Sequence, residues 1–325
     1  MIVPQYWAEA RIQRRFDKKQ ITVRRFGWSD ASQEEAQAHA EARVREAFQR
    51  VEAGEKLPRR EPKVAYNGAT GVPIREEILQ RDGSTIITRN LYGAHCLNTP
   101  DVLFADVDFE TSTPLKLRFL GMIVCLPVAC WLGWSAHSFK VGLFAAFVAL
   151  YVGAVAAGFM HRFFLSRSGG VEKSARQRVE NFVAKHRDWR LRLYRTPAGF
   201  RVLAMHRTFD PAEPEVSEFF RVLRTDPVYV RMCANQRCFR ARVTAKPWRI
   251  GIAQHMRPRP GVWPIKPEHM PVRLQWIENY ERKAAGFASC RFTAELGDGG
   301  VHHSAAAVQR LHDKLCRSDS TLPIA

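Results

Sequence analysis

The sequence predicts an α+β protein in which a hairpin of two transmembrane helices is inserted into a cytoplasmic mixed-sheet domain. Three observations predict this: a long apolar stretch, strand patterns on both sides of it, and an excess of basic residues after it. We expect an N-terminal cytoplasmic α+β segment over 1–118, the hairpin over 119–164, and a basic C-terminal cytoplasmic α+β segment over 165–325. The two cytoplasmic segments are expected to pack together as one domain.

The apolar stretch has only two fully charged residues, Lys140 and Arg162. Residues 141–160 carry no charge, and about 20 such residues are needed for an α-helix to cross a bilayer. Residues 119–139 form a second and more polar span with Pro127 inside it. Helices of soluble proteins are normally amphipathic rather than apolar all round. A membrane hairpin is therefore favoured over a buried helical pair.

Basic residues flank the hairpin on both outer sides, whereas the linker between the spans offers only Lys140. Cytoplasmic loops carry an excess of Lys and Arg, so both termini are expected in the cytoplasm and the hairpin in the cell (inner) membrane. The flanking basic residues are Lys116, Arg118, Arg162, Arg167, Lys173, Arg176 and Arg178.

Local patterns predict the elements of the cytoplasmic segments. Before the hairpin we expect a strand pair over 6–27, a helix over 31–53 capped by Ser29 or Asp30, a short helix over 74–80, and strands over 84–90 and 101–110. After it we expect helices over 172–187, 214–225, 274–285 and 304–316, a β-hairpin over 189–206, strands within 237–249 and 289–296, an extended proline-rich loop over 256–272, and a disordered C-terminus.

Charge is distributed unevenly over a chain whose net charge is +18. Residues 1–118 carry 19 basic and 17 acidic residues, whereas residues 161–325 carry 30 and 15, and 24 of those 30 are Arg. Arg suits bidentate phosphate contacts, so a nucleic acid, a nucleotide or a lipid head group is an expected partner besides membrane lipid itself. The alternative is that the basic residues only fix the membrane topology.

The strand over 101–110 carries Asp106 and Asp108, two residues apart. Alternate residues of a strand project from the same face of the sheet, so both carboxylates should face the same way. Such a pair suits a hard divalent cation such as Mg²⁺ or Mn²⁺. The alternative is that these acids are solvated or pair with an arginine. The sequence establishes no cofactor.

The seven cysteines fit a reducing cytoplasm. Cys233 and Cys238 form a C-x4-C pair, but no second pair has the spacing of zinc ligands. Zinc is therefore not demanded by the sequence. Residues that are available to complete such a site are His255, Cys290, His302 and His303.

Several of these elements occur in an order that resembles the catalytic core of the archaeo-eukaryotic primase and primase-polymerase superfamily. The order is a DxD strand (LFADVDF), a helix over 172–187, a strand-turn-strand (LYRTPAGFRVLAMH) and a basic strand (FRARVTAKPWR). The resemblance covers residues 84–250 and implies an RRM-like sheet, with the membrane hairpin inserted after the DxD strand.

The resemblance implies metal-dependent nucleotidyl or phosphoryl transfer. It assigns Asp106 and Asp108 as metal ligands, and Arg240, Arg242 and Lys246 as phosphate contacts. The family places a histidine just after the glycine turn, where this chain has Arg201 following Phe200. Arg201 is then expected to bind phosphate in place of that histidine, or the activity is lost.

Two functions therefore remain open. One is a binding protein, in which the hairpin tethers an arginine-rich cytoplasmic domain to the membrane. The other is the transferase. The sequence does not decide whether the chain is an enzyme, and it does not give the oligomeric state.

Overall fold

The fold was analysed in a computed structural model, which describes residues 3–16, 19–61, 72–110, 112–167, 169–259 and 261–325. These residues form eight α-helices and three small antiparallel sheets, so the chain is a mixed α+β protein. Two of the helices are long and apolar enough to cross a membrane. The predicted fold class is confirmed at this level.

The strands are β1 (Tyr6–Phe16), β2 (Lys19–Ser29), β3 (Glu77–Asp82), β4 (Thr85–Arg89), β5 (His95–Thr99), β6 (Phe104–Asp108), β7 (Leu191–Thr196), β8 (Gly199–Ala204), β9 (Phe239–Arg242) and β10 (Arg291–Leu296). The helices are α1 (Gln33–Glu52), α2 (Leu115–Ser135), α3 (Phe139–Arg167), α4 (Gly170–Lys185), α5 (Pro214–Leu223), α6 (Pro227–Gln236), α7 (Met270–Ala284) and α8 (His303–Cys316).

The described residues fall into two compact units. Unit 1 comprises Met1–Asp106, Val183–Pro197 and Arg201–Ala325. Unit 2 comprises Val107–Phe182 and Ala198–Phe200, and therefore contains α2 and α3. Unit 1 is thus built from chain segments on both sides of the apolar helices.

The sheets follow a simple order. β1 and β2 form a two-stranded sheet, with an isolated bridge from Arg24 of β2 to Arg60. A second sheet has the order β3-β4-β5-β9, and a third has the order β10-β7-β8-β6. In the second sheet Cys96 of β5 lies opposite Arg242 of β9, and Thr99 lies opposite Phe239. Residues before and after the apolar helices therefore meet within one sheet of unit 1.

The first sheet packs on α1 through small apolar residues. Ala36, Ala40, Val44 and Phe48 of the helix are buried against Val23 and its neighbours. The N-cap is Ser32, whose hydroxyl accepts a hydrogen bond from the Glu35 N–H, rather than the predicted Ser29 or Asp30. The helix begins later than predicted because strand β2 continues to Ser29.

Two other predictions about local structure were wrong, and two elements were not predicted. Residues 74–80 do not form a helix, because the chain enters strand β3 there and pairs with β4. Strand β5 and helix α6 were not predicted. The C-terminus is ordered: the Ala325 N–H donates to the Ala288 carbonyl at 2.9 Å, and Arg291 donates to the Leu322 carbonyl at 2.7 Å. Chain ends are usually poorly ordered unless they are held by contacts, and these two hydrogen bonds hold the C-terminus against the rest of unit 1.

Helices α2 and α3 contact each other through glycine. A Cβ added at Gly153 would lie 2.9 Å from the Met122 Cα and still closer to the Gly121 carbonyl oxygen. The large side chains point away from this contact, and Trp134, Phe139 and Phe147 are each more than 70% exposed. Small residues at helix contacts and apolar outer surfaces are typical of membrane helices.

We expect Gly153→Ala to destabilise the helix pair by about 1–3 kcal/mol, because the added methyl group overpacks a backbone contact. Unfolding of the purified chain by a denaturing detergent would measure this. Gly158→Ala is the matched control, because a Cβ there meets only the Thr113 Oγ1 at 3.5 Å. Equal stability of the two variants would contradict the close packing at Gly153.

Candidate functional site

The predicted acids lie on β6, at the edge of the third sheet. Asp106 has a side chain that is 38% exposed and accepts a hydrogen bond from Arg201 Nε at 3.0 Å. Asp108 is exposed, and it belongs to unit 2, whereas Asp106 belongs to unit 1. In the described part of the chain, neither acid belongs to a group of three close metal ligands. Pairing with an arginine is the arrangement that the structure shows for Asp106.

Arg201 lies inside the sheet domain rather than on its surface. Every residue of its strand β8 is buried, and Arg201 is 2% exposed. Besides Asp106, its guanidinium donates to the Arg242 carbonyl at 2.8 Å and approaches His312 Nε2 at 3.4 Å. Burial lowers the pKa of Arg201, but the Asp106 carboxylate outweighs this and raises the pKa above its ordinary value. Arg201 is therefore a permanent buried cation.

Arg240 is also buried in an ion pair. Its NH2 group donates to both carboxylate oxygens of Glu76, at 2.7 and 2.9 Å, and its NH1 group donates to Asn98 at 2.9 Å. The side chains of Arg240 and Glu76 are 6% and 1% exposed. Its charge is thus already balanced inside the protein, and the phosphate contact that was predicted for Arg240 stays a prediction without geometric support.

The other two predicted phosphate contacts are partly exposed. Arg242 is half-buried, and its Nε atom is buried without a hydrogen-bond partner among the described residues. The Lys246 ammonium lies 5.4 Å from the centre of the Trp248 ring. Of the predicted site residues, the structure brings together Asp106, Arg201 and the backbone carbonyl of Arg242, through the two hydrogen bonds that Arg201 donates.

An unpredicted basic cleft lies elsewhere in unit 1. It encloses about 920 Å³ between the loop over 253–259 and helix α7. We call it the arginine cleft, because three guanidinium groups line it. Its lining residues are Ala253, Gln254, His255, Arg257, Arg259, Val272, Gln275, Trp276, Glu278, Asn279 and Arg282.

The cations of the arginine cleft are exposed and lack acidic partners in the part of the chain that the structure describes. Among the described residues, Arg257 and Arg259 have no ion pair, and Arg282 donates only to Asn279 at 3.3 Å. Glu278 is the one acid in the lining, so positive charge dominates. Trp276 is held in the wall of the cleft by two contacts. Its ring stacks on the Tyr280 ring with 5.3 Å between the ring centres, and its indole N–H donates to the Gln254 carbonyl at 2.9 Å. The arrangement suits an anion.

Sequence reasoning missed this cleft because the region was interpreted as a proline-rich loop. The available signal was the alternation of Arg and Pro at residues 257–260, followed in the chain by a predicted helix that carries Arg282. Nothing in the local pattern shows that the loop folds back on that helix. The Gln254–Trp276 hydrogen bond, which joins them, is a tertiary contact.

A second unpredicted group consists of Cys290, His312 and Cys316. All three side chains are buried, and their Sγ and ring nitrogen atoms lie within 4.8 Å of one another. His312 and Cys316 are four residues apart on α8 and so share one helix face. That spacing was a readable signal, but Cys290 joins it only through the fold. The pair Cys233 and Cys238 is buried but belongs to no such group of described residues.

The pKa values of the two thiols in this group are shifted in opposite directions. Burial would raise the pKa of Cys316, but hydrogen bonding from Cys290 and the nearness of His312 and Arg201 lower it well below its ordinary value. The hydrogen bond to Cys316, together with burial, raises the pKa of Cys290.

Comparisons with protein-family models, with curated proteins and with solved structures find no match to this chain.

Proposed function

We propose that the chain is an integral membrane protein whose two-helix hairpin tethers a cytoplasmic domain, and that this domain binds a phosphate-bearing anion in the arginine cleft. The observation that carries the proposal is the set of exposed guanidinium groups at Arg257, Arg259 and Arg282 without acidic partners among the described residues. Of the four predicted phosphate contacts, Arg201 and Arg240 are paired with acids inside the fold.

Two facts support the membrane anchor. Helices α2 and α3 are long and apolar enough to cross a bilayer, and their large apolar side chains are exposed. Strands β5 and β9, which lie on either side of the hairpin in the chain, pair in one sheet. If the hairpin lies in a bilayer, this pairing supports a position of both flanks on the same side of the membrane. The basic flanks favour the cytoplasmic face of the cell (inner) membrane.

The size and chemistry of the cleft favour a compact ligand. Its volume of about 920 Å³ lies within the range of pockets that take small molecules, roughly 300–1,000 Å³. Arginine forms bidentate hydrogen bonds with phosphate oxygens, and three such groups around one cleft favour a phosphorylated ligand. A nucleotide, a single-stranded nucleic-acid end and a phosphorylated lipid head group share this chemistry.

We expect the triple variant Arg257→Ala, Arg259→Ala, Arg282→Ala to bind phosphorylated ligands at least about tenfold more weakly than the wild type, because charged hydrogen bonds contribute about 1.5–3 kcal/mol each. The full chain in nanodiscs of neutral lipid would be titrated separately with a nucleoside triphosphate, a short single-stranded oligonucleotide and a water-soluble phosphoinositide. The arm that binds identifies the source of the phosphate. Binding should weaken steeply with added salt.

The matched control removes three exposed arginines from another surface, with Arg11→Ala, Arg15→Ala and Arg45→Ala. The change in net charge is the same, so loss of binding in both triple variants would assign it to total charge rather than to the cleft. Salt-independent binding, or no binding of any of the three ligands by the wild type, would refute the proposal for the cleft.

The alternative proposal is a metal-dependent nucleotidyl transferase of the primase-polymerase type. In its favour, Asp106 and Arg201 are in contact and the Asp106 carboxylate is partly exposed. Against it, Arg240 is occupied by Glu76. Calorimetric titration of the wild type with Mn²⁺ and a nucleoside triphosphate tests this function. No binding of either ligand by the folded protein, at two temperatures, would exclude it.

A further inference from the structure

We propose that Cys290, His312 and Cys316 bind a zinc ion within unit 1. The proposal goes beyond the anchor and the arginine cleft and does not depend on either. It rests on the positions of three side chains, on the hydrogen bond that orients the histidine, and on the backbone contacts that hold the two cysteine-bearing segments together.

The spacing of the ligand atoms suits the ion. Zinc sites have Zn–S bonds of about 2.3 Å and Zn–N bonds of about 2.0 Å, so tetrahedral ligand atoms lie about 3.5–3.8 Å apart. Here the three ligand atoms all lie within 4.8 Å, and Cys290 Sγ is 4.0 Å from His312 Nε2. Small side-chain shifts therefore close the site. Two sulfur ligands and one imidazole are a donor set that zinc prefers.

The carboxylate beside the His312 ring is also typical of a metal-binding histidine. His312 Nδ1 lies 2.9 Å from Asp313 Oδ1, and a proton on Nδ1 leaves the Nε2 lone pair facing the cysteines. Metal-binding histidines usually donate their other ring N–H to such a carboxylate, which fixes the tautomer and the ring orientation. Asp313 is itself held by Arg192 at 3.2 Å.

Arg201 contacts the same histidine but does not block the site. Its NH1 group approaches His312 Nε2 at 3.4 Å, while the same group donates to the Arg242 carbonyl at 2.8 Å. The longer contact is the weaker one. Two thiolates with one zinc ion make a neutral unit, so the guanidinium retains Asp106 as its counter-ion and can donate to a thiolate.

The backbone brings the cysteines together without the ion. The Ser289 N–H donates to the Cys316 carbonyl at 3.0 Å, and the Phe292 N–H donates to the Ser318 carbonyl at 3.1 Å. These contacts hold the end of α8 beside the entry to β10. The three protein ligands leave one coordination position for a non-protein ligand such as water, as at open zinc sites.

The test is the metal content of the full chain, purified in detergent under reducing conditions without chelators. We expect one zinc per chain by elemental analysis. After removal of zinc, Co²⁺ should give the thiolate charge-transfer and tetrahedral d–d absorption bands. Cys316→Ser and His312→Gln should lose the metal. Asp313→Asn should weaken zinc binding by about 10–100-fold, the usual effect of losing the carboxylate that orients a metal-binding histidine.

The matched control is the double variant Cys233→Ser, Cys238→Ser, which removes two other buried thiols and should keep the zinc. X-ray absorption of the zinc-loaded wild type needs no variant to fold, and should show two sulfur neighbours with the rest nitrogen or oxygen. The proposal is overturned by a wild type that holds no zinc after reconstitution, by a shell without sulfur, by a disulfide between Cys290 and Cys316 instead of metal, or by zinc loss in the control alone.

Discussion

Replacement of Glu76 by alanine is expected to lower the free energy of unfolding of unit 1 by about 3–5 kcal/mol, the usual effect of removing one partner from a buried ion pair. The Glu76 carboxylate accepts two hydrogen bonds from Arg240 and one from the Thr88 hydroxyl at 2.6 Å. Without it the Arg240 guanidinium stays buried and loses the carboxylate that balances its charge. Urea unfolding of the detergent-solubilised chain, followed by tryptophan fluorescence, measures the loss.

The control for this prediction is Glu218→Ala. Glu218 pairs with Arg221 at the surface, where both side chains are at least half exposed. Exposed pairs contribute little to stability, so no measurable change is expected there. A Glu76→Ala protein that is as stable as the Glu218→Ala protein would show that water reaches Arg240 and that the pair is not buried in solution.

Replacement of Asp106 by alanine is expected to destabilise unit 1 by about 1.5–3 kcal/mol, the range for a hydrogen bond to a charged group. Arg201 would then be a buried cation without its carboxylate partner. The effect should be smaller than that of Glu76→Ala, because Asp106 is partly exposed and water can replace some of its interaction. The same urea titration measures it.

Asp108→Ala is the matched control for Asp106→Ala, since both acids lie on β6 and Asp108 is the more exposed of the two. A much smaller change in stability is expected for Asp108→Ala. If both variants keep wild-type stability but lose Mn²⁺ binding together, the pair is a metal site as the family resemblance implies. Loss of stability in Asp106→Ala alone supports the counter-ion role.

Features that depend on local periodicity were predictable from the sequence. The two apolar helices follow from their length and lack of charge, and the β7–β8 hairpin follows from its alternation around a turn. Helix α1 was predicted within two residues at its start because its apolar positions repeat at helical spacing. In each case the neighbours in sequence are also the neighbours that stabilise the element.

Features that depend on distant partners were not predictable. Arg201 was expected to bind an external phosphate, because the sequence does not show that β8 is covered on both faces or that Asp106 lies beside it. Residues 74–80 resemble a helix start in isolation, and only the pairing with β4 makes the chain extended. The arginine cleft and the Cys290 group likewise join segments that the local pattern leaves separate.

The pairing of β5 with β9 also sets the order of events during synthesis. About 140 residues separate Thr99 from Phe239, and at 5–20 residues per second the ribosome needs on the order of 10 s to make them. During that interval β5 has an unpaired edge, which is a site where chains can aggregate. The hairpin leaves the ribosome within the same interval. Unit 1 is therefore expected to complete its folding only after both apolar helices have been synthesised. Until then, the unpaired edge of β5 should need a chaperone to prevent aggregation.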